Sequence, residues 1–316
     1  MEAMGKLEVI KAGASLVSQP IQSVVTAIMT TLFLKRNTES TELEKIKAGK
    51  FGELIDELLD SGKLSYVEFY KCRNFLRVAK LADAYANEIK GSEFVKEGQF
   101  NFEWYMRFFD EVGNISNDDL QELWAKILAN EVSRPQGCSL RTLSMIRDMT
   151  ASEAKLFTSL CRFVLQSGIT HFILPYGFHD PSDGYLECRD FMVAQGLHSC
   201  IMTMLEIGVL TTTHDLAIPL NKMQSLEMHN EKIFAIIEAD SDESSLFRQE
   251  AYVLTTGGVE LFNIISNMPE YEADTDYALL CFREIKNSNS EMKISAFRIL
   301  KNGDELDSVS DDLLMH

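Results

Sequence analysis

Apolar positions in the middle third of the chain recur with a helical period. Trp104, Tyr105, Phe108 and Phe109 follow Phe102 so closely that they predict one helix with a broad aromatic face. Ser116-Asn-Asp-Asp119 supplies a cap, and Leu120, Leu123, Trp124, Ile127 and Leu128 then follow at i, i+3, i+4, i+7 and i+8. Asp118, Asp119 and Glu122 in that first turn complement the helix dipole. Ser133-Arg-Pro-Gln-Gly137 breaks the helix, and Ser139 opens a shorter one carrying Leu140, Leu143 and Ile146. Upstream, residues 38–91 predict two or three helices. Ser65-Tyr-Val-Glu68 has capping-box spacing, and Phe69, Cys72, Leu76 and Ala79 keep the period behind it. Residues 91–99 are polar with two glycines and read as a linker.

Downstream the pattern mixes periods. Thr150-Ala-Ser-Glu153 is a second capping box, leading Leu156, Phe157, Leu160, Cys161 and Val164. After a loop over residues 175–184 comes a helical run over 191–205, then strand-like runs at 209–213, 216–220 and 233–237. Leu254-Thr-Thr-Gly-Gly258 leads into an apolar helix. Helices, hairpin and this turn in that order resemble a winged helix. Residues 277–300 show two alternating runs around Asn287-Ser-Asn-Ser290 and predict a hairpin, followed by an acidic tail. The fold class expected is mainly α, with an α+β, winged-helix-like C-terminal half. The expected division is residues 1–37 (apolar helix), 38–150 (helical domain), 151–266 (winged-helix-like domain) and 267–316 (hairpin and acidic tail).

Residues 12–34 carry no charge, but three Ser, three Thr, two Gln and Pro20 dilute them. From Pro20 onward Ile21, Val24, Val25, Ile28 and Leu32 form one helical face, with Gln22, Thr26 and Thr30 on another. Three readings stand side by side: a helix packed on the body or on another subunit, a membrane-inserted or interfacial helix, and a loose terminus. Those five apolar residues are the candidates for membrane or oligomer contact, with residues 12–34 as the membrane-facing stretch. No secretory signal is evident, since the N-terminus lacks a strongly basic region and a small-residue cleavage site.

Charge narrows the partners. The net charge is −18, and residues 238–276 hold ten carboxylates against one cation, Arg248. A nucleic-acid binder needs cations to displace condensed counterions, so this balance disfavours nucleic acid as a partner. The six cysteines, at 72, 138, 161, 188, 200 and 281, form no CxxC pair, which argues against a disulfide framework or a zinc knuckle. Cys72 and Cys161 lie among apolar residues as buried free thiols, consistent with a reducing cytosol. The expected location is cytoplasmic, with a peripheral place at the inner membrane if the N-terminal helix meets lipid.

No phosphate-binding glycine loop, nucleophile elbow or zincin helix is present, and no cofactor is implied. Gly257-Gly258 fits backbone geometry better than ligand binding. His179, Asp180, Asp183, Cys188 and His198 are metal-capable types close in sequence, but their spacing matches no ligand set, and Asp180-Pro-Ser-Asp-Gly184 has the composition of an ordinary turn. No catalytic or metal residue is assigned; His179, Asp180, Asp183 and His198 remain the low-ranked site of a rival, enzymatic reading. Trp104 and Trp124 fit core packing better than a partner's pocket. The helix around His198 to Glu206 contains no Lys or Arg, so a transcriptional regulator is the weaker use of a winged helix.

Three segments carry a resemblance: Trp104 to Phe109 as W-x-x-x-F-F, Leu123 to Val132 as L-W-A-x-I-L-A-x-E-V, and Ser139 to Leu143 as S-x-R-T-L. Together, and with residues 61–83 upstream, they resemble a bacterial family of proteins of unknown function. The resemblance implies kinship and no activity. The family's sporadic occurrence suggests an anti-phage or stress-response role by association alone. The expected function is a non-enzymatic interaction or assembly protein that binds a protein partner or a second copy of itself.

Overall fold

A computed structural model describes residues 19–29, 41–89, 101–175, 197–211, 214–220, 224–239, 245–289, 291–299 and 306–308. The chain divides into two compact units, residues 1–154 with 267–269, and residues 155–266 with 270–316.

The first unit is helical among its described residues: α1 (Gln19–Met29), α2 (Thr41–Asp60), α3 (Tyr66–Glu88), α4 (Phe102–Val112), α5 (Asp118–Ser133) and α6 (Leu140–Arg147). Local chemistry fixes where these begin. Ser65 accepts the Glu68 N–H while the Glu68 carboxylate accepts the Ser65 N–H at 2.8 Å, closing the capping box of α3. Asn101, Asn117 and Ser139 cap α4, α5 and α6 through their side-chain oxygens. The core forms where α3, α4 and α5 meet. Phe75 of α3 lies edge-on to Phe109, at 5.4 Å between ring centroids, and Phe108 meets Trp124 of α5 at 5.3 Å. Trp104 stacks on Phe108 at 5.1 Å. Burying such rings stabilises by about 1.5–3 kcal/mol each, with about 0.5–1.5 kcal/mol more per well-placed pair.

The helix α7 (Ala151–Leu160) opens on the Thr150–Glu153 capping box, with the Thr150 N–H donated to the Glu153 carboxylate at 2.6 Å. The second unit is α+β. Its strands are β1 (Leu165–Ser167), β2 (Thr170–Ile173), β3 (His214–Leu220), β4 (Ser225–His229), β5 (Ile233–Ala239), β6 (Ser245–Val253), β7 (Met292–Ile299) and β8 (Leu306–Ser308). They form one sheet of order β3-β6-β2-β1-β4-β5-β7-β8, with every described pairing antiparallel. Its helices are α8 (Leu197–Ile207), α9 (Thr256–Ser266) and α10 (Thr275–Ser288), beside the C-terminal part of α7.

Period-two burial shows which face of the sheet is covered. Ile233, Ala235, Ile237 and Ala239 alternate inward on β5, as do Met292, Ile294 and Ala296 on β7, and α10 packs on both strands. Tyr277 of α10 is fully buried; its hydroxyl accepts the Leu174 N–H and donates to the Leu174 carbonyl, both at 2.8 Å. That pair ties the helix to the end of β2. Gly258, in the first turn of α9, approaches the Val209 carbonyl so closely that a Cβ there would overlap it.

The sheet is broader than the winged-helix resemblance implies. In the run at 209–213 the described residues contribute an isolated bridge, Leu210 with Leu254, and the run at 216–220 lies within β3. The hairpin expected over 277–300 is corrected: its first arm is the helix α10. Asp274 caps that helix, and Tyr277, Ala278, Cys281, Phe282 and Ile285 recur on one face at helical spacing. The strand after it, β7, finds its hairpin partner in β8 instead.

Candidate functional site

His179, Asp180, Asp183 and Cys188 lie outside the described residues, while His198 falls within α8 and its side chain is likewise undescribed. Among the described residues no three His, Cys, Asp or Glu side chains group together as a metal site would require. Ile21, Val24, Val25 and Ile28 of α1 are buried within the first unit, where α1 packs on α2 and α3; Leu32 lies outside the described residues. In this arrangement, contact with lipid or a partner through those four side chains requires α1 to leave its unit. No described helix is long and apolar enough to cross a membrane.

The residues of the middle-third motifs converge on one loop. Glu131, buried in the last turn of α5, accepts backbone N–H groups from Gln136 at 2.8 Å, Gly137 at 3.1 Å and Cys138 at 3.3 Å. Trp104 donates its indole N–H to the Cys138 carbonyl at 2.7 Å. Gln136 takes φ +70°, and a Cβ at Gly137 would stand 2.5 Å from the Asn130 amide nitrogen. The carboxylate and indole therefore clamp the turn that joins α5 to α6. Burial and the negative charge of Glu131 together push the Tyr105 phenol far up, so it remains protonated. This clamp shapes the unit.

Buried nucleophile types are likewise deactivated. Burial, with the Glu68 charge adding to it, raises the Cys72 thiol to about 12, and burial pushes the Cys161 and Cys281 thiols higher still. In the sheet, Gln166 of β1 stands opposite His171 of β2 on one side and His229 of β4 on the other, placing all three on one face. His171 is buried against Phe262, at 5.4 Å between ring centroids, and its Nδ1 has no hydrogen-bond partner among the described residues. Its pKa is lowered, first by burial and also by the neighbouring His229.

The surface feature that stands apart is the start of α3. Tyr66, Val67 and Tyr70 are 74%, 67% and 64% exposed, on consecutive turns of one helix face. Single exposed apolar residues are ordinary, but two tyrosines and a valine side by side, held by a closed capping box, make a patch. Sequence reasoning followed the inward stripe of this helix (Phe69, Cys72, Leu76 and Ala79) and missed the outward one, which has the same three-and-four spacing.

Fold and surface together define an α+β protein with an aromatic-cored helical unit, a broad antiparallel sheet and an exposed aromatic turn. The family model for DUF2806, described as a protein of unknown function, matches residues 69–278, more than half of the chain. The chain belongs to that family. No curated protein and no solved structure matches it.

Proposed function

We propose that this DUF2806 member is a non-enzymatic interaction protein that assembles through the outward face of α3. The observation that carries this reading is the exposed Tyr66–Val67–Tyr70 turn. Tyrosine brings large contact area and a hydroxyl at low conformational cost, which is why it concentrates at protein interfaces. The turn is also rigid, because the Ser65–Glu68 capping box fixes the backbone that bears it. A transcriptional-regulator use of the C-terminal half is disfavoured, because α8 carries no Lys or Arg with which to hold a phosphate backbone.

The test is gel filtration of extract from cells making the chain at native level. The chain elutes in a species larger than itself, and Tyr66→Ser/Val67→Ser/Tyr70→Ser moves it to a smaller one without changing its thermal unfolding. Identical elution of the two forms removes the reading.

A further inference from the structure

The outward face of α3 extends beyond the aromatic turn as Tyr66, Tyr70, Arg73 and Arg77, alternating four and three residues apart. That is the spacing of a helix–helix seam. The two arginine side chains are 44% and 55% exposed. These positions are symmetric about the midpoint between Lys71 and Cys72. Two copies of α3 laid antiparallel across that midpoint would set Tyr70 opposite Arg73 of the second copy and Tyr66 opposite Arg77 of the second copy. The two-fold symmetry repeats both pairs. A parallel pairing would instead oppose tyrosine with tyrosine and arginine with arginine.

A guanidinium over an aromatic ring is attracted by the ring's quadrupole. This helix already uses the interaction within one chain, since the Arg73 guanidinium lies 5.5 Å from the Phe69 ring centroid. Each arginine also holds a carboxylate of its own chain, Asp56 at 3.0 Å from Arg73 and Asp118 at 2.9 Å from Arg77. The four guanidinium groups brought together in a pair are thus matched by four carboxylates. Self-complementarity under a two-fold axis is what an isologous contact requires.

We infer that the partner at this face is a second copy of the same chain, docked α3 to α3 in antiparallel orientation. The inference rests on the interaction reading above and supplies its occupant. The experiment is sedimentation equilibrium of the purified full chain over a range of concentrations. Wild type rises from one toward two chain masses. Tyr66→Arg/Tyr70→Arg opposes arginine with arginine and weakens association by more than about tenfold. Mixing that variant with Arg73→Tyr/Arg77→Tyr rebuilds four tyrosine–arginine pairs and restores association in a species containing both chains. All four positions are exposed, so circular dichroism of the variants matches wild type. A wild-type chain that stays monomeric, an arginine variant that associates as wild type does, or a mixture that fails to recover overturns the inference. If the purified chain is monomeric while the extract still shows a larger, Tyr66-dependent species, the second copy is wrong and the interaction reading survives.

Discussion

Replacing Glu131 by Gln tests whether the α5–α6 clamp holds the helical unit together. The carboxylate accepts three backbone N–H groups with two oxygens, and one oxygen serves both Gly137 and Cys138. Glutamine keeps the shape but turns one acceptor into an amide donor facing an N–H. Either one or two bonds are lost, each about 1.5–3 kcal/mol when the acceptor is a carboxylate. Gln136 is exposed, so water recovers part of its share. The expected loss is therefore about 3 kcal/mol. Both tryptophans of the chain, Trp104 and Trp124, lie in this unit, so their emission in a urea titration reports its unfolding selectively. With a slope of roughly 2 kcal/mol per molar urea, the midpoint falls by about 1.5 M. Because Trp104 donates to the same loop, its native emission also shifts. A midpoint within about 0.3 M of wild type, with unchanged emission, would show that the loop is held by other contacts.

Further outcomes follow from burial and charge. The lowered pKa of His171 means the folded state binds its proton less tightly than the unfolded chain, so its contribution to stability is complete above about pH 6.5 and is lost as pH falls from there toward the folded value; denaturation at pH 7.5 and 5.5 shows that loss in wild type and less of it in His171→Phe. Cys72, Cys138, Cys161, Cys200 and Cys281 are buried, so Ellman's reagent titrates at most one of the six thiols before unfolding and all six after. Val25 is 1% exposed, and Val25→Asp buries a carboxylate, costing several kcal/mol and loosening α1 in hydrogen exchange; a variant as stable as wild type would place α1 outside the core. Gly258→Ala forces α9 away from the Val209 carbonyl and lowers the melting temperature, whereas Gly62→Ala, with open space around it, is strained by its φ of +69° alone.

Features decided within a few residues were legible in the sequence. The Ser65–Glu68 and Thr150–Glu153 boxes and the caps of α5 and α6 lie near where spacing placed them, because a cap needs only its own turn. The aromatic face of α4 was visible for the same reason. The sheet was not: β2 pairs with β6 some eighty residues later, and no local period announces such a partner. The helix α10 was misread because short apolar runs fit both periods, and only packing on β5 and β7 chooses between them. Glu131 left a signal that spacing rules pass over, a lone carboxylate at the end of an apolar helix face just before Arg-Pro-Gln-Gly. The outward stripe of α3 carries the same period as the inward one. Only Arg73 and Arg77, further along the outward stripe, mark it as the face that meets water.

The most direct test of the interaction reading is a photo-reactive residue, p-benzoylphenylalanine, placed at Val67 in living cells, with a control at exposed Lys155 on α7. Light should produce a discrete, saturable adduct from position 67 and none from position 155, with a mass of two chains if the antiparallel pairing holds. An adduct of another mass keeps the interaction reading and replaces the partner. No adduct above the control contradicts the claim that this face is an interface.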